Sequence, residues 1–338
     1  MSGGLRNATF RNNDTIPRVL HPSPCYTRDI MAINPHPLIA TLAARMPDLF
    51  RWCGAAARQL RRHDVAVADK GVGYAAADAL TLADLSIQEI LVDAIRDFGD
   101  GFLECRLEVE EETGDQEVFA KESELTIAID PIDGTLHFRD RTSDGYGVLI
   151  SLRRNDRSFY SLGFFPEQGS CGEWVEVKDN RVVHTLDDTS MPARQRLDST
   201  VALVPGDVPR CETIWLTGYR TDRRLVAEHL AREGLTAAMS DSHGLHICTE
   251  LVVGRVDGLL MSHPGVYDAP MWMHVLTALG GVACWVENGE PVDFRDSWYD
   301  ATCKGYRLSG VIACARDAAR LRQLVEIGRR CMVTDDAT

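Results

Sequence analysis

The feature that most constrains this chain is an apolar run that leads directly into a turn with two carboxylates. Residues 125–129 read Leu-Thr-Ile-Ala-Ile and are followed by Asp130-Pro131-Ile132-Asp133-Gly134-Thr135. A short run of apolar and β-branched residues predicts a buried strand in an α/β sheet. Asp130 then stands at the carboxyl end of that strand, which is the edge where α/β proteins place ligands. We expect Pro131 to end the ladder, because it has no N–H to donate.

The spacing within this turn indicates a site for a cation and a phosphate group. Asp133 follows Asp130 by three residues, so a turn can bring both carboxylates to one ion. Gly134 permits close approach of the backbone, and Gly134-Thr135 can open a short helix whose free N–H groups bind phosphate. Hard oxygen ligands beside such a turn indicate Mg²⁺ rather than zinc. The alternative interpretation is a plain acidic turn, since Asp, Pro and Gly are all turn formers.

Two further acidic segments each have two interpretations. Glu110-Glu111-Glu112 follows a strand-like segment and is either a set of cation ligands or a solvated acidic loop. Asp268 precedes an amphipathic segment with Pro270 in its first turn. Asp268 is therefore either a metal ligand or only the N-cap of that helix.

Periodicity predicts an alternation of helices and strands along the chain. In the first half, Thr81 is a good N-cap and Asp84 lies in the following first turn. There the predicted helices are 36–62 and 81–98, and the predicted strands are 105–110, 125–130, 146–152 and 159–163. In the second half, the predicted strands are 199–204, 236–239, 256–261 and 281–286, and the predicted helices are 221–233, 245–253, 268–279 and 314–328.

Composition limits the partners and the compartment. The 338 residues carry a formal net charge of −14, so we expect neither a nucleic acid polymer nor a membrane as a partner. A bound divalent cation inverts the local field, so a small anionic substrate is compatible with this charge. The ten cysteines form no Cys-x-x-Cys pair, which indicates free thiols in a reducing cytoplasm.

These segments together resemble the inositol monophosphatase superfamily, which includes fructose-1,6-bisphosphatases and 3′-phosphoadenosine 5′-phosphate phosphatases. The resemblance runs from about residue 40 to residue 310 and implies an α/β (α+β) chain folded as a layered αβαβα sandwich. The family motif Asp-Pro-Ile/Leu-Asp-Gly-Thr stands unaltered at 130–135. The other matches are Thr81-Leu82-Ala83-Asp84 to Thr-x-x-Asp, Glu111-Glu112 to the Glu-Glu pair with Glu110 as the alternative register, and Tyr267-Asp268…Gly280-Gly281 to Trp-Asp-x-Ala…Gly-Gly.

The resemblance implies a Mg²⁺-dependent phosphatase that hydrolyses a small phosphate monoester with a metal-activated water. An inositol phosphate, a sugar bisphosphate or a nucleotide 3′-phosphate is the implied class of substrate. Two or three Mg²⁺ per site are implied, Mn²⁺ can replace them, and homodimers are common in the family. The alternative is a catalytically silent protein that binds Mg²⁺ and a phosphate ligand on the same fold.

Roles follow from the resemblance position by position. The implied metal ligands are Glu111, Asp130, Asp133, Asp268 and the Ile132 carbonyl. The implied phosphate-binding residues are Asp133, Gly134 and Thr135. The residues implied to orient and deprotonate the attacking water are Thr135, Asp84 and Glu111.

The change of pattern along the chain, with a polar stretch at about 186–198 as the seam, divides it into three parts. Residues 1–35 are expected to form an extended or disordered leader, and residues 36–195 an N-terminal α+β subdomain with the metal and phosphate site. Residues 196–338 are expected to form a C-terminal α/β subdomain that supplies the last metal Asp and the substrate contacts.

The residues at the positions that bind the alcohol part of the substrate in the family depart from the family pattern. Asp241-Ser242-His243-Gly244-Leu245-His246 stands where the family often has Arg-Ser-x-Gly-Ser-Ala, and Met261 stands where inositol phosphatases often carry Glu. We expect Ser242, His243, Gly244 and Met261 to contact the substrate. Since a thioether does not accept strong hydrogen bonds, inositol 1-phosphate is expected to be a poor substrate. His243, His246 and Cys248 also fit a zinc pattern, for which the alternative is a helical face with a core Cys.

Overall fold

The computed structural model describes residues 33–63, 80–219, 223–239, 244–301 and 304–335. Residues 1–32, which make up nearly all of the predicted leader, lie outside these ranges. In the described part of the chain, helices and two large sheets alternate in five layers. The predicted layered αβαβα fold is therefore confirmed.

The elements follow one another along the chain in a mixed order. The helices are α1 His36–Arg61, α2 Leu82–Arg96, α3 Asp100–Leu103, α4 Thr135–Asp140, α5 Ala193–Ser199, α6 Arg223–Arg232, α7 Ile247–Val252, α8 Ala269–Ala278 and α9 Ala318–Asp335. The strands are β1 Arg106–Val109, β2 Thr126–Asp133, β3 Gly147–Arg153, β4 Ser158–Phe165, β5 Glu173–Lys178, β6 Arg181–Leu186, β7 Thr213–Thr217, β8 Thr236–Ala238, β9 Gly258–Ser262, β10 Val282–Trp285, β11 Ser297–Asp300, β12 Gly305–Leu308 and β13 Val311–Ala315.

The first two layers are helices α1 and α2 and a six-stranded sheet in the order β1 to β6. Strands β1 and β2 pair in parallel, and each later pair is antiparallel. Apolar side chains at helical spacing on α1 and α2 pack against the alternate residues of β2, β3 and β4. This packing forms the first core, and it buries the strand that leads into Asp130.

The middle layer consists of α7 and α8, which lie between the two sheets. The second core joins side chains of β3 and β4 to those of β9 and β13 through these helices. The five-stranded sheet has the order β10-β13-β9-β7-β8 and is mixed in direction. Helices α6 and α9 cover its other face and form the third core. Both faces of the second sheet are thus buried.

Several expected elements are confirmed, and others are wrong. The two N-terminal helices and the capping box of Thr81 with Asp84 are present. The predicted strand 199–204 is wrong, because the segment has no regular structure after α5 ends at Ser199. The predicted helix 314–328 is displaced, because Val311–Ala315 is β13 and α9 begins at Ala318. The other elements that were not predicted are helices α3 and α5 and strands β5, β6, β7, β11 and β12.

The ladder between β2 and β3 is interrupted at Pro131, but it does not end there as expected. Strand β2 continues to Asp133, and its register against β3 shifts between Asp130 and Asp133. A proline is tolerated at such a bulge because the irregular ladder does not require its missing N–H.

No helix among the described residues is both long enough and apolar enough to cross a membrane.

A buried histidine connects the middle layer to the first sheet. His274 of α8 is buried, its Nδ1 lies 2.9 Å from the Ser161 hydroxyl of β4, and its Nε2 lies 3.0 Å from the Asp179 carbonyl. The carbonyl can only accept, so the neutral ring carries its proton on Nε2 and accepts from Ser161 at Nδ1. Burial lowers the pKa of His274 to about 4.

The depressed pKa of His274 predicts a loss of stability in mild acid. Between its unfolded pKa of about 6.5 and its folded pKa, the unfolded chain binds a proton that the folded chain does not, so folding weakens as pH falls. The contribution is ~3 kcal/mol if the shift is complete. We expect His274→Gln to lower the free energy of unfolding at about pH 7.5 in urea, and that deficit to shrink at about pH 4.5.

The exposed His36 of α1 provides the matched control for this test. His36→Gln should leave the free energy of unfolding close to that of the wild type at both pH values. A deficit of His274→Gln that does not change with pH would contradict the prediction.

Candidate metal and phosphate site

Three carboxylates converge where the first sheet meets the middle layer. Asp130 and Asp133 lie at the end of β2, and Asp268 lies at the start of α8. One oxygen from each of these side chains lies within 4.8 Å of the oxygens from the other two. Asp130 is buried, whereas Asp133 and Asp268 are partly exposed. Residues separated by more than a hundred positions therefore form one acidic cluster.

Local backbone geometry brings the first two carboxylates together. The register shift in β2 separates Asp130, which is paired with Leu149, from Asp133, which is paired with Gly147. The strand then ends at Gly134, whose φ of 92° is strained for any residue with a side chain. A Cβ at this position would also lie 3.0 Å from the Gly145 carbonyl oxygen. Glycine thus permits the turn after Asp133, and α4 begins at Thr135 as predicted.

The structure confirms the cap interpretation of Asp268 and leaves the metal-ligand interpretation a prediction. Its Oδ1 accepts a hydrogen bond of 2.6 Å from the Ala269 N–H, so it caps α8. The same side chain belongs to the acidic cluster. The cap fixes the carboxylate at the start of the helix while leaving it within reach of a shared cation.

Burial and mutual repulsion destabilise this cluster without a cation. Burial, followed by the charges of Glu110 and Asp133, raises the pKa of Asp130 well above its usual range. Burial and the charge of Asp133 raise the pKa of Asp268 in the same direction. Asp130 Oδ1 is buried without a hydrogen-bond partner among the described residues. A divalent cation would relieve all three conditions, and these hard oxygen donors suit Mg²⁺ or Mn²⁺.

The upstream acidic segment lies beside the cluster. The charge of Glu110 raises the pKa of Asp84, Asp130 and Asp268, so its carboxylate acts on the whole site. Glu111 is buried, and its backbone is held by Gln88, whose side chain accepts from the Glu111 N–H at 2.8 Å and donates to its carbonyl. The structure thus brings the charge of Glu110 to the site and holds the backbone of the buried Glu111 against Gln88.

A hydrogen-bonded pair lies next to the acidic cluster. The Thr135 hydroxyl is 3.1 Å from Asp84 Oδ1 and 2.8 Å from the Ile132 carbonyl oxygen. Asp84 also accepts from the Thr81 N–H at 2.8 Å and from the Thr81 hydroxyl. Burial, with a smaller effect from the charge of Glu110, raises the pKa of Asp84 to about 7. A carboxylate with that pKa can exchange a proton near neutral pH.

Two side chains make contacts with Asp133 that the sequence did not indicate, although it drew attention to His246 as a departure from the family motif and as a possible zinc ligand. His246 Nε2 lies 2.7 Å from Asp133 Oδ2, and the Trp272 N–H donates to the same oxygen at 3.2 Å. These partners are 113 and 139 residues away from Asp133 in the chain. No spacing pattern encodes such a contact, so only the fold could show it.

The expected substrate contacts are described only in part. Ser242 and His243 lie outside the described residues. Gly244 accepts a long hydrogen bond of 3.4 Å from the Ser143 hydroxyl, which places it beside the loop that precedes β3. Met261 is fully buried in β9, and Cys248 is fully buried in the second core. The roles of these residues toward a substrate stay predictions.

Comparisons with known proteins agree with this geometry. The sequence model of the inositol monophosphatase family matches residues 47–171, the range that holds Asp84, both glutamates and the hexapeptide at 130–135. No protein in the curated set matches this sequence. The resemblance drawn from the motifs is confirmed over the matched range.

Solved structures share the fold at low sequence identity. An IMPase from Thermotoga maritima is 17% identical with a TM-score of 0.59, over 85% of this chain and 96% of that chain. The extragenic suppressor protein suhB from Bartonella henselae is 14% identical with a TM-score of 0.57, over 86% and 98%. Inositol monophosphatase II from Staphylococcus aureus is 14% identical with a TM-score of 0.56, over 85% and 93%. These structures establish the fold.

We predict that Asp268→Asn stabilises the protein in the absence of metal and reduces the stabilisation that metal provides. Asp268→Asn keeps the helix cap, since Asn caps as well as Asp, and removes one repelling charge. After treatment with EDTA, we expect the variant to melt at least ~2 °C above the wild type. Mn²⁺ in about hundred-fold excess over its Kd should stabilise the wild type by ~2.7 kcal/mol and the variant by much less.

Asp296→Asn is the matched control, because Asp296 is exposed and does not belong to the acidic cluster. It should behave like the wild type in both melts. An equal Mn²⁺-induced shift in the wild type and in Asp268→Asn would show that Asp268 is only a helix cap.

Proposed function

We propose that this chain is an active, metal-dependent phosphatase of the inositol monophosphatase family that hydrolyses a small phosphate monoester. The proposal rests on one observation: the acidic cluster and the hydrogen-bonded pair Asp84–Thr135 both lie at the end of β2. A cation site alone would support binding. A cation site beside a proton acceptor at hydrogen-bond distance from a hydroxyl supports hydrolysis.

The metal ligands of this proposal are Asp130, Asp133, Asp268, the Ile132 carbonyl and one glutamate of the upstream segment. Two or three Mg²⁺ would be held there, with Mn²⁺ as a substitute. Such ions neutralise the charge of the phosphate and make water a usable nucleophile near neutral pH. Because phosphoryl transfer depends mainly on positioning and electrostatic stabilisation, the residues of this chain need only hold the reactants in place.

Neighbouring residues of the chain would accept the proton and bind the phosphate. Thr135 would orient the attacking water, and Asp84, with its pKa raised to about 7, would accept the proton through the Thr135 hydroxyl. The N–H groups of Gly134 and Thr135 would bind phosphate oxygens, since the first N–H groups of a helix have no carbonyl partner within it.

The substrate class is a small phosphorylated metabolite. Two of the similar structures, both of SaIMPase-II, hold inositol monophosphate and 2′AMP, so this fold accepts phosphate esters of different alcohols. Met261 in place of a hydroxyl-binding Glu favours an ester other than inositol 1-phosphate for this chain. A cytoplasmic location, a homodimer, and the absence of nucleic acid and membrane partners stay predictions from the sequence.

The direct test of the proposed function is phosphate release. With Mg²⁺ we expect turnover of at least one of inositol 1-phosphate, fructose 1,6-bisphosphate, 3′-phosphoadenosine 5′-phosphate and histidinol phosphate, with inositol 1-phosphate not the best by kcat/KM. EDTA should abolish turnover. Thr135→Ala should lower kcat by ~10²-fold or more with Mn²⁺ affinity unchanged, because it removes the hydroxyl that faces Asp84.

The catalytically silent alternative predicts a different result. It requires that the wild type bind Mn²⁺ and inorganic phosphate but release no phosphate from any ester of the panel. Full turnover in excess chelator would instead remove the metal from the mechanism.

A second prediction concerns the register of the glutamates. The family resemblance implied Glu111 as the metal ligand, with Glu110 as the alternative register. The charge of Glu110 acts on Asp84, Asp130 and Asp268. We propose Glu110 as the ligand. Glu110→Gln should weaken Mn²⁺ binding ~10-fold or more, and Glu111→Gln should weaken it less.

Glu112, which is exposed in the same segment, provides the matched control. Glu112→Gln should bind Mn²⁺ like the wild type. If Glu111→Gln shows the larger loss, the register drawn from the sequence is the right one.

A further inference from the structure

We propose that His246 is a positioning residue that holds Asp133 in its metal-binding orientation through an imidazole proton fixed on Nε2. The inference rests on the proposed function, because it assigns a role at the same cation site. It concerns a residue that the family pattern does not use in this way. In Arg-Ser-x-Gly-Ser-Ala the last residue is Ala, whose methyl group cannot donate a hydrogen bond, and His246 stands at that place.

The hydrogen bonds of His246 determine which ring nitrogen carries the proton. The side chain is buried, and its Nδ1 accepts the Cys248 N–H at 3.1 Å, so that His246 caps α7. A nitrogen that accepts an N–H carries no proton of its own, so the proton of the neutral ring lies on Nε2. That Nε2–H then donates to Asp133 Oδ2 at 2.7 Å. The cap and the contact with Asp133 require the same tautomer.

Packing prevents the ring from leaving this position. The Phe165 ring stacks on it with a centroid distance of 4.3 Å and an interplanar angle of 28°. Gln168, with its amide oxygen turned toward His246, accepts the His246 backbone N–H at 2.8 Å and donates to the Thr249 hydroxyl at 2.8 Å. His246 is therefore held at its backbone N–H, at Nδ1 and on one face of its ring, independently of its contact with Asp133.

A second donor completes the arrangement. Trp272 of α8 donates its N–H to the same Asp133 Oδ2 at 3.2 Å. Both donors engage one oxygen, so the carboxylate plane is fixed and Oδ1 is the oxygen that neither donor uses. Hydrogen-bond partners that orient a metal ligand typically contribute ~10–100-fold to metal affinity. His246 contributes the shorter of the two bonds.

The test separates the contact with Asp133 from the helix cap. His246→Asn keeps a capping side chain but is too short to cap α7 and reach Asp133 at once. His246→Gln is longer and can restore a donor near Asp133. Trp272→Phe removes the second donor without touching the cap. Mn²⁺ affinity is measured by calorimetry without substrate, and the melting temperature is measured in EDTA.

The expected pattern is specific to a positioning role. His246→Asn should weaken Mn²⁺ binding ~10-fold or more. Its melting temperature in EDTA should fall as well, because the buried ring that stacks on Phe165 is lost. The loss of affinity should nevertheless not follow the melting temperature across the variants. His246→Gln should recover part of the affinity, and Trp272→Phe should lose affinity in the same direction by a smaller factor. With substrate, the kcat of His246→Asn should recover as Mn²⁺ is raised to saturation.

Two results would overturn this inference alone. One is an affinity of His246→Asn for Mn²⁺ equal to that of the wild type. The other is a loss of affinity that follows the melting temperature across all variants and is not recovered by Gln, which would assign His246 a purely structural role. If the wild type itself does not bind Mn²⁺, both the proposed function and this inference fall.

Discussion

The repulsion among carboxylates held within 4.8 Å of one another is the constraint on which the site depends. Burial adds to the cost of that repulsion, because loss of solvation raises the pKa of Asp130 and of Asp268 more than any single neighbouring charge does. A cluster of this kind persists only if its backbone and hydrogen bonds are rigid. The bulge in β2, the cap of α8 and the two donors to Asp133 provide that rigidity, and a cation would convert the repulsion into binding energy.

Helix α8 links the stability of the protein to the geometry of the site. Asp268 caps it, Trp272 lies one turn later and contacts Asp133, and His274 is bonded to the first sheet through Ser161 and the Asp179 carbonyl. Residues four apart share one face of a helix, so Asp268 and Trp272 approach the cluster together. The packing of the middle layer between two sheets therefore sets the positions of Asp268 and Trp272 relative to Asp133.

Elements with a local pattern could be predicted from the sequence, and those that depend on tertiary partners could not. The strand before Asp130, the Thr81 cap and α4 follow from short-range rules. Strand β5 carries Glu173 and Glu176, which look like surface residues but are buried against His184, Arg194 and Tyr160. The apolar segment 199–204 looked like a strand, yet it is irregular and Val201 is 85% exposed. The burial of the two glutamates was decided by partners outside their own strand, and the local pattern at 199–204 did not indicate that Val201 is exposed.

The sequence by itself determined the chemistry of the turn at 130–135, the cap at Thr81 and the acidic character of the segment before β2. These features depend on residues within about four positions of one another, and helix and turn rules encode such distances. Only the tertiary structure decided that Asp268 is both a cap and a member of the acidic cluster, and that His246, 113 residues from Asp133, donates to it. The physical reason is that the packing of two sheets around α7 and α8 creates these contacts, and no spacing along the chain specifies which distant side chains meet there.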